Sequence, residues 1–297
     1  MPSYEFVTVD VFTDRRFGGN PLAVFPAAAG LAEPDMQALA REFNLSETTF
    51  VLPSERAEHT ARVRIFTPAG EMPFAGHPNV GTGYVLARRH VGGERLLFEE
   101  VAGLVEIRLR RGPAGEVSGA EIAAPQPLTI GAEVDPALVA RAAGLAPADL
   151  CCAFHPPLLA GVGAAFVMVE LAGLDALRRA RPSLGAFADA AARQAGFSLH
   201  LYVRDPARPA HLRARMFAPL LGVAEDPATG SANAALAALL TSLAPGEPAE
   251  LAFDIEQGEE MGRPSRLHAV GRRDASGAVR ATVAGGCVPV LRGWVDL

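Results

Sequence analysis

Acidic, hydroxyl and imidazole side chains stand beside glycines at two places in this 297-residue sequence. His77 directly follows Gly76, and Gly230 is flanked by Asp226 and Ser231. Small residues before a helix leave backbone N–H groups and the positive end of the helix dipole available to an anion. Carboxylates, imidazoles and hydroxyls at such a helix start can also exchange protons with a bound molecule. These residues are therefore candidates for proton-transfer chemistry on an anionic substrate.

Glu47 is the other candidate, in the segment Asn44-Leu45-Ser46-Glu47-Thr48. It could close a capping box that begins at Asn44, but the residues after it are β-branched and predict a strand. An acid at the start of an apolar strand needs another reason, and general acid–base catalysis is one.

Each candidate also has a purely structural interpretation. Gly76 and Gly230 could only allow tight turns, Asp226 could be a helix cap, and Ser231 could be an ordinary first-turn residue. A single histidine such as His77 is more often structural than catalytic. The pairing of two similar helix starts in one chain favours the functional interpretation.

Short β-rich runs dominate the elements that must position these residues: Phe6 to Phe12, Thr48 to Leu52, Arg62 to Phe66 and Leu104 to Leu109. Helices are predicted from Pro34 to an αL stop at Asn44, from Pro78 to about Arg89, and from Ser231 to about Leu243. The last helix is apolar on every side, so we expect a sheet to surround it.

An internal repeat indicates two copies of such a unit. Arg64-Ile65-Phe66-Thr67-Pro68 matches Arg215-Met216-Phe217-Ala218-Pro219, and Ala75-Gly76-His77-Pro78-Asn79 aligns with Thr229-Gly230-Ser231-Ala232-Asn233. The Pro/Gly-rich stretch from Pro113 to Pro127 is the candidate boundary. We predict domains over residues 1–120 and 121–297, with the return of the last strand to the first domain as an alternative.

Composition excludes several classes of function. The net charge is −6 and no run of basic residues is present, so neither nucleic acid nor an anionic membrane is an expected partner. Neither a signal sequence nor a membrane-spanning run is apparent, and we expect a cytoplasmic protein. All 27 basic residues are arginine, which excludes lysine Schiff-base and pyridoxal chemistry.

Cofactor motifs fail on their context. Gly161-Val162-Gly163-Ala164-Ala165-Phe166 lacks a third glycine and leads into a predicted strand, whereas a dinucleotide fingerprint must open a helix. Neither the seven histidines nor the three cysteines have metal-ligand spacing. We expect no cofactor and no metal. A serine hydrolase is an alternative because the residue types of a triad are present, although Gly-x-Ser-x-Gly is missing.

Five segments together resemble the PhzF-type phenazine-biosynthesis family over nearly the whole chain: Asp10-Val11-Phe12 with Gly19-Asn20-Pro21-Leu22-Ala23-Val24-Phe25, Asn44-Leu45-Ser46-Glu47-Thr48, Glu71-Met72-Pro73-Phe74-Ala75-Gly76-His77-Pro78, Glu225-Asp226-Pro227-Ala228-Thr229-Gly230-Ser231-Ala232, and Gly285-Gly286. The resemblance implies an α+β, diaminopimelate-epimerase-like fold. In it, two pseudo-symmetric domains each wrap a barrel-like, mostly antiparallel sheet around a central buried helix, and the active site lies between them. A homodimer is also implied.

The resemblance further implies a cofactor-independent isomerase that shifts a proton in a small carboxylate substrate such as trans-2,3-dihydro-3-hydroxyanthranilate. Glu47 would carry the proton, and His77, Asp226 and Ser231 would assist. Asn20, Ser46, Gly76 and Gly230 would bind substrate. The chain departs from the family pattern at Asn79 and Tyr84. A non-catalytic binding member of the family is the second alternative.

Overall fold

The computed structural model describes residues 2–193, 197–247 and 249–297. They divide into two compact units: the residues up to Ala123 with Ala284–Leu297 form unit 1, and Ala124–Val283 form unit 2. Each unit is a mostly antiparallel sheet wrapped around one buried helix, so the predicted α+β fold is confirmed. No helix in the described ranges is both long enough and apolar enough to cross a membrane.

The strands alternate with a few helices along the chain. The strands are β1 (Ser3–Val11), β2 (Asn20–Phe25), β3 (Glu47–Leu52), β4 (Ala61–Phe66), β5 (Glu71–Met72), β6 (Arg95–Glu100), β7 (Gly103–Arg111), β8 (Val117–Ala123), β9 (Thr129–Glu133), β10 (Leu158–Gly161), β11 (Ala165–Glu170), β12 (Leu199–Asp205), β13 (Arg208–Ala218), β14 (Val223–Asp226), β15 (Glu250–Gln257), β16 (Ser265–Arg273) and β17 (Val279–Asp296). The helices are α1 (Glu33–Phe43), α2 (Gly76–Arg88), α3 (Pro136–Ala142), α4 (Leu174–Arg179), α5 (Leu184–Arg193) and α6 (Gly230–Leu243).

Eight strands of unit 1 close into a barrel. They pair in the order β1, β2, β3, β4, β6, β7, β8 and β17, and β17 pairs back with β1. The β2–β3 and β4–β6 pairs are parallel. Helix α2 packs against β1, β2, β3, β7 and β8, so it runs inside the barrel.

Unit 2 repeats this arrangement around α6. Its strands pair in the order β9, β10, β11, β12, β13, β15 and β16, with parallel β11–β12 and β13–β15 pairs. Ahead of β9, Ala124 and Leu128 donate backbone hydrogen bonds to Ala281 and Val279 of β17. Helix α6 packs against β10, β11, β15 and β16, and nearly all of its side chains are buried. The expectation that a sheet surrounds this apolar helix is confirmed.

The internal repeat has the same local structure in both units. Arg64 donates two hydrogen bonds to Glu71, at 2.7 and 2.6 Å, and Arg215 donates two to Glu225, at 2.7 and 2.8 Å. Each guanidinium also lies over the phenylalanine two residues later, 5.0 Å from the ring centroid in unit 1 and 4.9 Å in unit 2. Each pair therefore ties a strand to the segment leading into the central helix.

Three of the described helices are predicted from the sequence, and three others are not. Helix α1 ends at Asn44 in the αL conformation (φ 50°, ψ 34°), as predicted. Helices α2 and α6 begin at the glycines, slightly earlier than predicted. Helices α3, α4 and α5 are not predicted from the sequence. The first two contain only 7 and 6 residues, too short to show a helical period.

Close contact between α6 and β16 depends on Gly271. A Cβ atom built there would lie against Thr241 Oγ1 and 2.7 Å from the carbonyl oxygen of Ala237, both on α6. We expect Gly271→Ala to lower the free energy of unfolding by about 1–3 kcal/mol, because the overpacked strand must shift. Urea denaturation followed by circular dichroism measures this. Gly173→Ala is the control, since a Cβ there has no heavy atom within 4 Å. Equal stability of the two variants would contradict the packing argument.

Candidate active site

Glu47 lies at one edge of the unit 1 barrel, where two parallel strands begin. Helix α1 ends at Asn44, and β3 starts three residues later at Glu47. Leu22 of β2 pairs with Glu47, so Asn20, the first and fully buried residue of β2, belongs to the same edge. Ser46 directly precedes the strand and is half-buried. The structure thus brings three of the predicted site residues to one strand edge.

His77 reaches this edge from the start of α2. Its Nε2 atom lies 3.5 Å from Oε2 of Glu47, and the two side chains are 6% and 16% exposed. Burial lowers the pKa of His77 to about 3, so the ring is neutral at physiological pH. The contact is therefore between a carboxyl group and a neutral imidazole. Such a contact can hold one proton, on Glu47 or on Nε2, depending on the ring tautomer.

The first turn of α2 supplies backbone donors next to His77. Four residues of this turn are buried: Gly76, His77, Pro78 and Asn79. The side chain of the N-cap residue Ala75 makes no hydrogen bond to the N–H groups of the helix end. The helix has 13 residues, which align enough peptide dipoles to favour a negative group at this end. A substrate carboxylate or a developing enolate oxygen fits these donors.

A buried hydrogen-bond network holds the equivalent helix start in unit 2. Thr229 Oγ1 donates to Oδ2 of Asp226 at 2.5 Å. Gln257, at the end of β15, donates from Nε2 to the carbonyl oxygen of Asp226 at 2.7 Å and accepts through Oε1 from Nδ2 of Asn233 at 2.7 Å. All four side chains are buried. Asp226 is thereby fixed at the end of β14, directly before α6.

Gly230 and Ser231 are the first two residues of α6. Gly230 is buried and Ser231 is half-buried. The side chain of the N-cap residue Thr229 makes no hydrogen bond to this helix end. Its hydroxyl donates to Asp226 instead. Asp226 is therefore not a simple helix cap, since its carboxylate accepts a side-chain hydroxyl. The structure places Asp226, Gly230 and Ser231 together in unit 2, and Asn20, Ser46, Glu47, Gly76 and His77 together in unit 1.

Three residues that support these helix starts are not predicted from the sequence: Thr229, Asn233 and Gln257. Thr229 and Asn233 lie inside the aligned repeat, and both have side chains that can form hydrogen bonds. That combination is a signal in the sequence for their role. Gln257 is 24 residues beyond Asn233, on another strand, and no local pattern marks it. Within the described residues, no group of three or more His, Cys, Asp or Glu side chains is suited to hold a metal ion.

Each unit is a sheet wrapped around one central helix, with polar residues at the start of that helix. Residues 9–293 match the model of the phenazine biosynthesis-like protein family, PhzC-PhzF. The chain belongs to this family. The Gly161 segment runs into β11, as predicted, and does not open a helix.

Several relatives are consistent with this assignment. The chain is 39% identical over 275 residues to an uncharacterised isomerase of Mesorhizobium japonicum, covering 90% of both chains. It is 36% identical to the trans-2,3-dihydro-3-hydroxyanthranilate isomerase of Pseudomonas fluorescens, covering 99% of this chain and 100% of the relative. The crystal structure of a Bacillus anthracis phenazine biosynthesis protein of the PhzF family superposes with a TM-score of 0.91 at 27% identity, covering 100% of both chains.

Proposed function

We propose that this protein is a cofactor-independent isomerase that moves a proton between carbon atoms of a small carboxylate-bearing substrate. The observation that carries the proposal is the 3.5 Å contact between the Glu47 carboxyl and the neutral, buried His77 beside the start of α2. Names of relatives support the reaction class, since several are isomerases.

The proton inventory of this reaction needs no oxidant or reductant. The Glu47 carboxylate takes a proton from a substrate C–H bond, and the electron pair of that bond moves into the conjugated system of the substrate. Glu47 then returns the proton to a different carbon, which restores the carboxylate and gives an isomer. The neutral imidazole of His77 can accept a hydrogen bond from protonated Glu47, so the intermediate state keeps its proton close to the substrate.

The remaining residues bind and orient the substrate in this proposal. Backbone donors at Gly76 and Gly230 hold its negative or carbonyl oxygens. Asn20 and Ser46 contact its polar groups beside Glu47. Asp226 and Ser231 assist by orienting substrate or relaying protons, and the network through Gln257 keeps Asp226 in place.

Trans-2,3-dihydro-3-hydroxyanthranilate, the compound in the name of the Pseudomonas relatives, is the first substrate to test. We expect the purified protein to convert it without added cofactor. In D₂O, proton NMR should show deuterium at the carbon that receives the proton, partially if Glu47 exchanges slowly with solvent.

Binding of this compound without conversion, measured by calorimetry, would contradict the isomerase assignment and favour the non-catalytic alternative. A requirement for an added metal or cofactor would contradict the cofactor-independent mechanism. Conversion with no deuterium in the product would show complete internal return of the proton, and reaction of a substrate deuterated at the donor carbon would then trace the transfer.

A further inference from the structure

Two asparagines occupy equivalent places in the central helices. Asn79 and Asn233 each lie four residues after the N-cap of α2 and α6. Asn79 Nδ2 donates to the carbonyl oxygen of Ala75 at 3.0 Å, and Asn233 Nδ2 donates to that of Thr229 at 3.0 Å. These bonds fix the amide orientation, because a reversed amide would place two oxygens in contact. Each Oδ1 is therefore an acceptor that needs a donor.

In unit 2 that donor is a histidine. His200 Nε2 lies 3.1 Å from Oδ1 of Asn233, and both side chains are fully buried. Burial lowers the pKa of His200 to about 4, so the ring is neutral and carries one proton. Since Asn233 Oδ1 can only accept, that proton is on Nε2. The start of α6 is thus held by a neutral donor.

In unit 1 the corresponding acceptor lacks a conventional donor. Oδ1 of Asn79 is buried and accepts no hydrogen bond from the described residues. Both carboxyl oxygens of Glu100, the last residue of β6, are likewise buried and make no hydrogen bond there. The Glu100 and Asn79 side chains interact directly. If Glu100 is ionised, Oδ1 of Asn79 still has no donor, and only the Asn79 amide favours the buried carboxylate, so burying these groups away from water is costly.

The surroundings of Glu100 favour its neutral form. Burial raises its pKa to about 8, and the Asn79 amide is the one group that acts against this shift. Its strand partner on β7 is Gly103, which has no side chain. The neighbouring Glu99 is occupied elsewhere, by His59 Nδ1 and the backbone amides of Glu55 and Arg56. Across the barrel strands, Arg62 pairs with Glu99 in register and with Glu55 through its side chain.

The turn after Glu100 also contacts the segment before α2. The backbone N–H of Ala102 donates to the carbonyl oxygen of Pro73 at 3.0 Å, and Pro73 is three residues before Gly76. Glu100 is therefore held against the start of α2 by its own turn. A hydrogen bond from Glu100 to Asn79 would complete the fixation of the turn that carries Gly76 and His77.

We propose that protonated Glu100 donates a hydrogen bond to Oδ1 of Asn79 and acts as a positioning residue for the first turn of α2, the role that His200 has for α6. The inference rests on the proposed function for its effect on catalysis, but the hydrogen bond itself does not. Glu100 touches no reacting atom in this scheme. Its loss of a proton removes the donor and releases the turn that bears His77.

The first test is physical and needs no substrate. We expect the infrared spectrum of the wild-type protein to show a protonated-carboxyl band that titrates near pH 8. Glu100→Gln should lack this band, and Glu99→Gln, which changes the adjacent acid, should keep it. The free energy of unfolding should fall as the pH rises from about 4.5 to about 8, because the native state binds more protons than the unfolded state in that window. Glu100→Gln should lose that pH dependence.

The second test uses the isomerisation assay. Turnover of the wild type should fall about tenfold in total as the pH rises through the Glu100 pKa, because deprotonation removes the donor. Glu100→Gln supplies an amide donor at every pH, so its turnover should stay level through that range. Glu100→Leu keeps the approximate volume but supplies no donor, and its turnover should be about tenfold lower at every pH below the transition.

Absence of the infrared band, or its persistence in Glu100→Gln, would overturn the proposal. So would an unchanged alkaline decline of turnover in Glu100→Gln. If the band titrates as expected and no isomerisation is found with any substrate, the hydrogen bond stands and the proposed function fails. The two failures are therefore distinguishable.

Discussion

Glu47→Gln is expected to lower turnover by roughly 10²-fold or more while substrate binding persists. Glutamine keeps the shape and hydrogen bonding of the side chain but cannot take a proton from carbon. Because the Glu47 side chain is 16% exposed and His77 is buried, water has limited access to substitute for the missing base. The neutral His77 is also a poor substitute, since its lowered pKa, about 3, makes protonation costly. The loss should therefore appear in kcat rather than in the dissociation constant.

Calorimetry with substrate and single-turnover kinetics separate these two quantities. Glu42→Gln is the matched control, since Glu42 is an exposed acid on α1 outside the site and its change should leave kcat unaltered. Ser231→Ala should reduce turnover less than Glu47→Gln, because water or neighbouring backbone amides can partly replace an orienting hydroxyl. Near-normal turnover of Glu47→Gln would remove Glu47 as the proton carrier, and Asp226 would become the first candidate.

The parts of the site that the sequence predicts are those set by short-range chemistry. Asn44 adopts the αL conformation because a short polar side chain tolerates it. The helix ends there, and this determines that β3 begins shortly afterwards, at Glu47. The apolar character of α6 predicts its burial without any knowledge of the surrounding strands. The Arg-x-Phe-x-Pro repeat predicts a duplicated unit, and its physical basis is the arginine that lies over the phenylalanine in both copies.

Long-range partners are the parts that the sequence does not predict. Gln257 reaches Asp226 from a strand 31 residues later, and nothing in its local sequence marks it. The state of Glu100 depends on burial by several strands and on an asparagine of α2, so composition and spacing carry no trace of it. Helix α5 did carry a signal, since Phe187 and Ala190 are spaced three apart and both are fully buried. Its neighbouring glycine, proline and alanine residues obscure the period.

Glu225→Ala is expected to lower the free energy of unfolding by about 3–5 kcal/mol, because it leaves a buried guanidinium without its carboxylate. The Arg215 side chain is 2% exposed and donates two hydrogen bonds to Glu225. Among contacts shorter than 3 Å in the described part of unit 2, its other partners are only the carbonyl oxygens of Leu177 and Ala180. Carbonyl dipoles cannot balance a full charge. Denaturation by guanidinium chloride, followed by far-ultraviolet circular dichroism, measures the change.

Glu71→Ala is the matched control supplied by the internal repeat. Its partner Arg64 has a side chain that is 15% exposed, and it keeps a second carboxylate, Glu33, at 2.8 Å. Water and Glu33 can compensate the charge, so we expect a cost of about 1 kcal/mol or less. The difference between the two variants reports the combined effect of burial and of the second carboxylate, since the bidentate geometry and the phenylalanine beneath the guanidinium are shared. A similar loss in both would contradict the argument from burial. Glu260 lies 4.0 Å from Arg215, so Glu225→Ala in a Glu260→Gln background should lose more stability than Glu225→Ala alone.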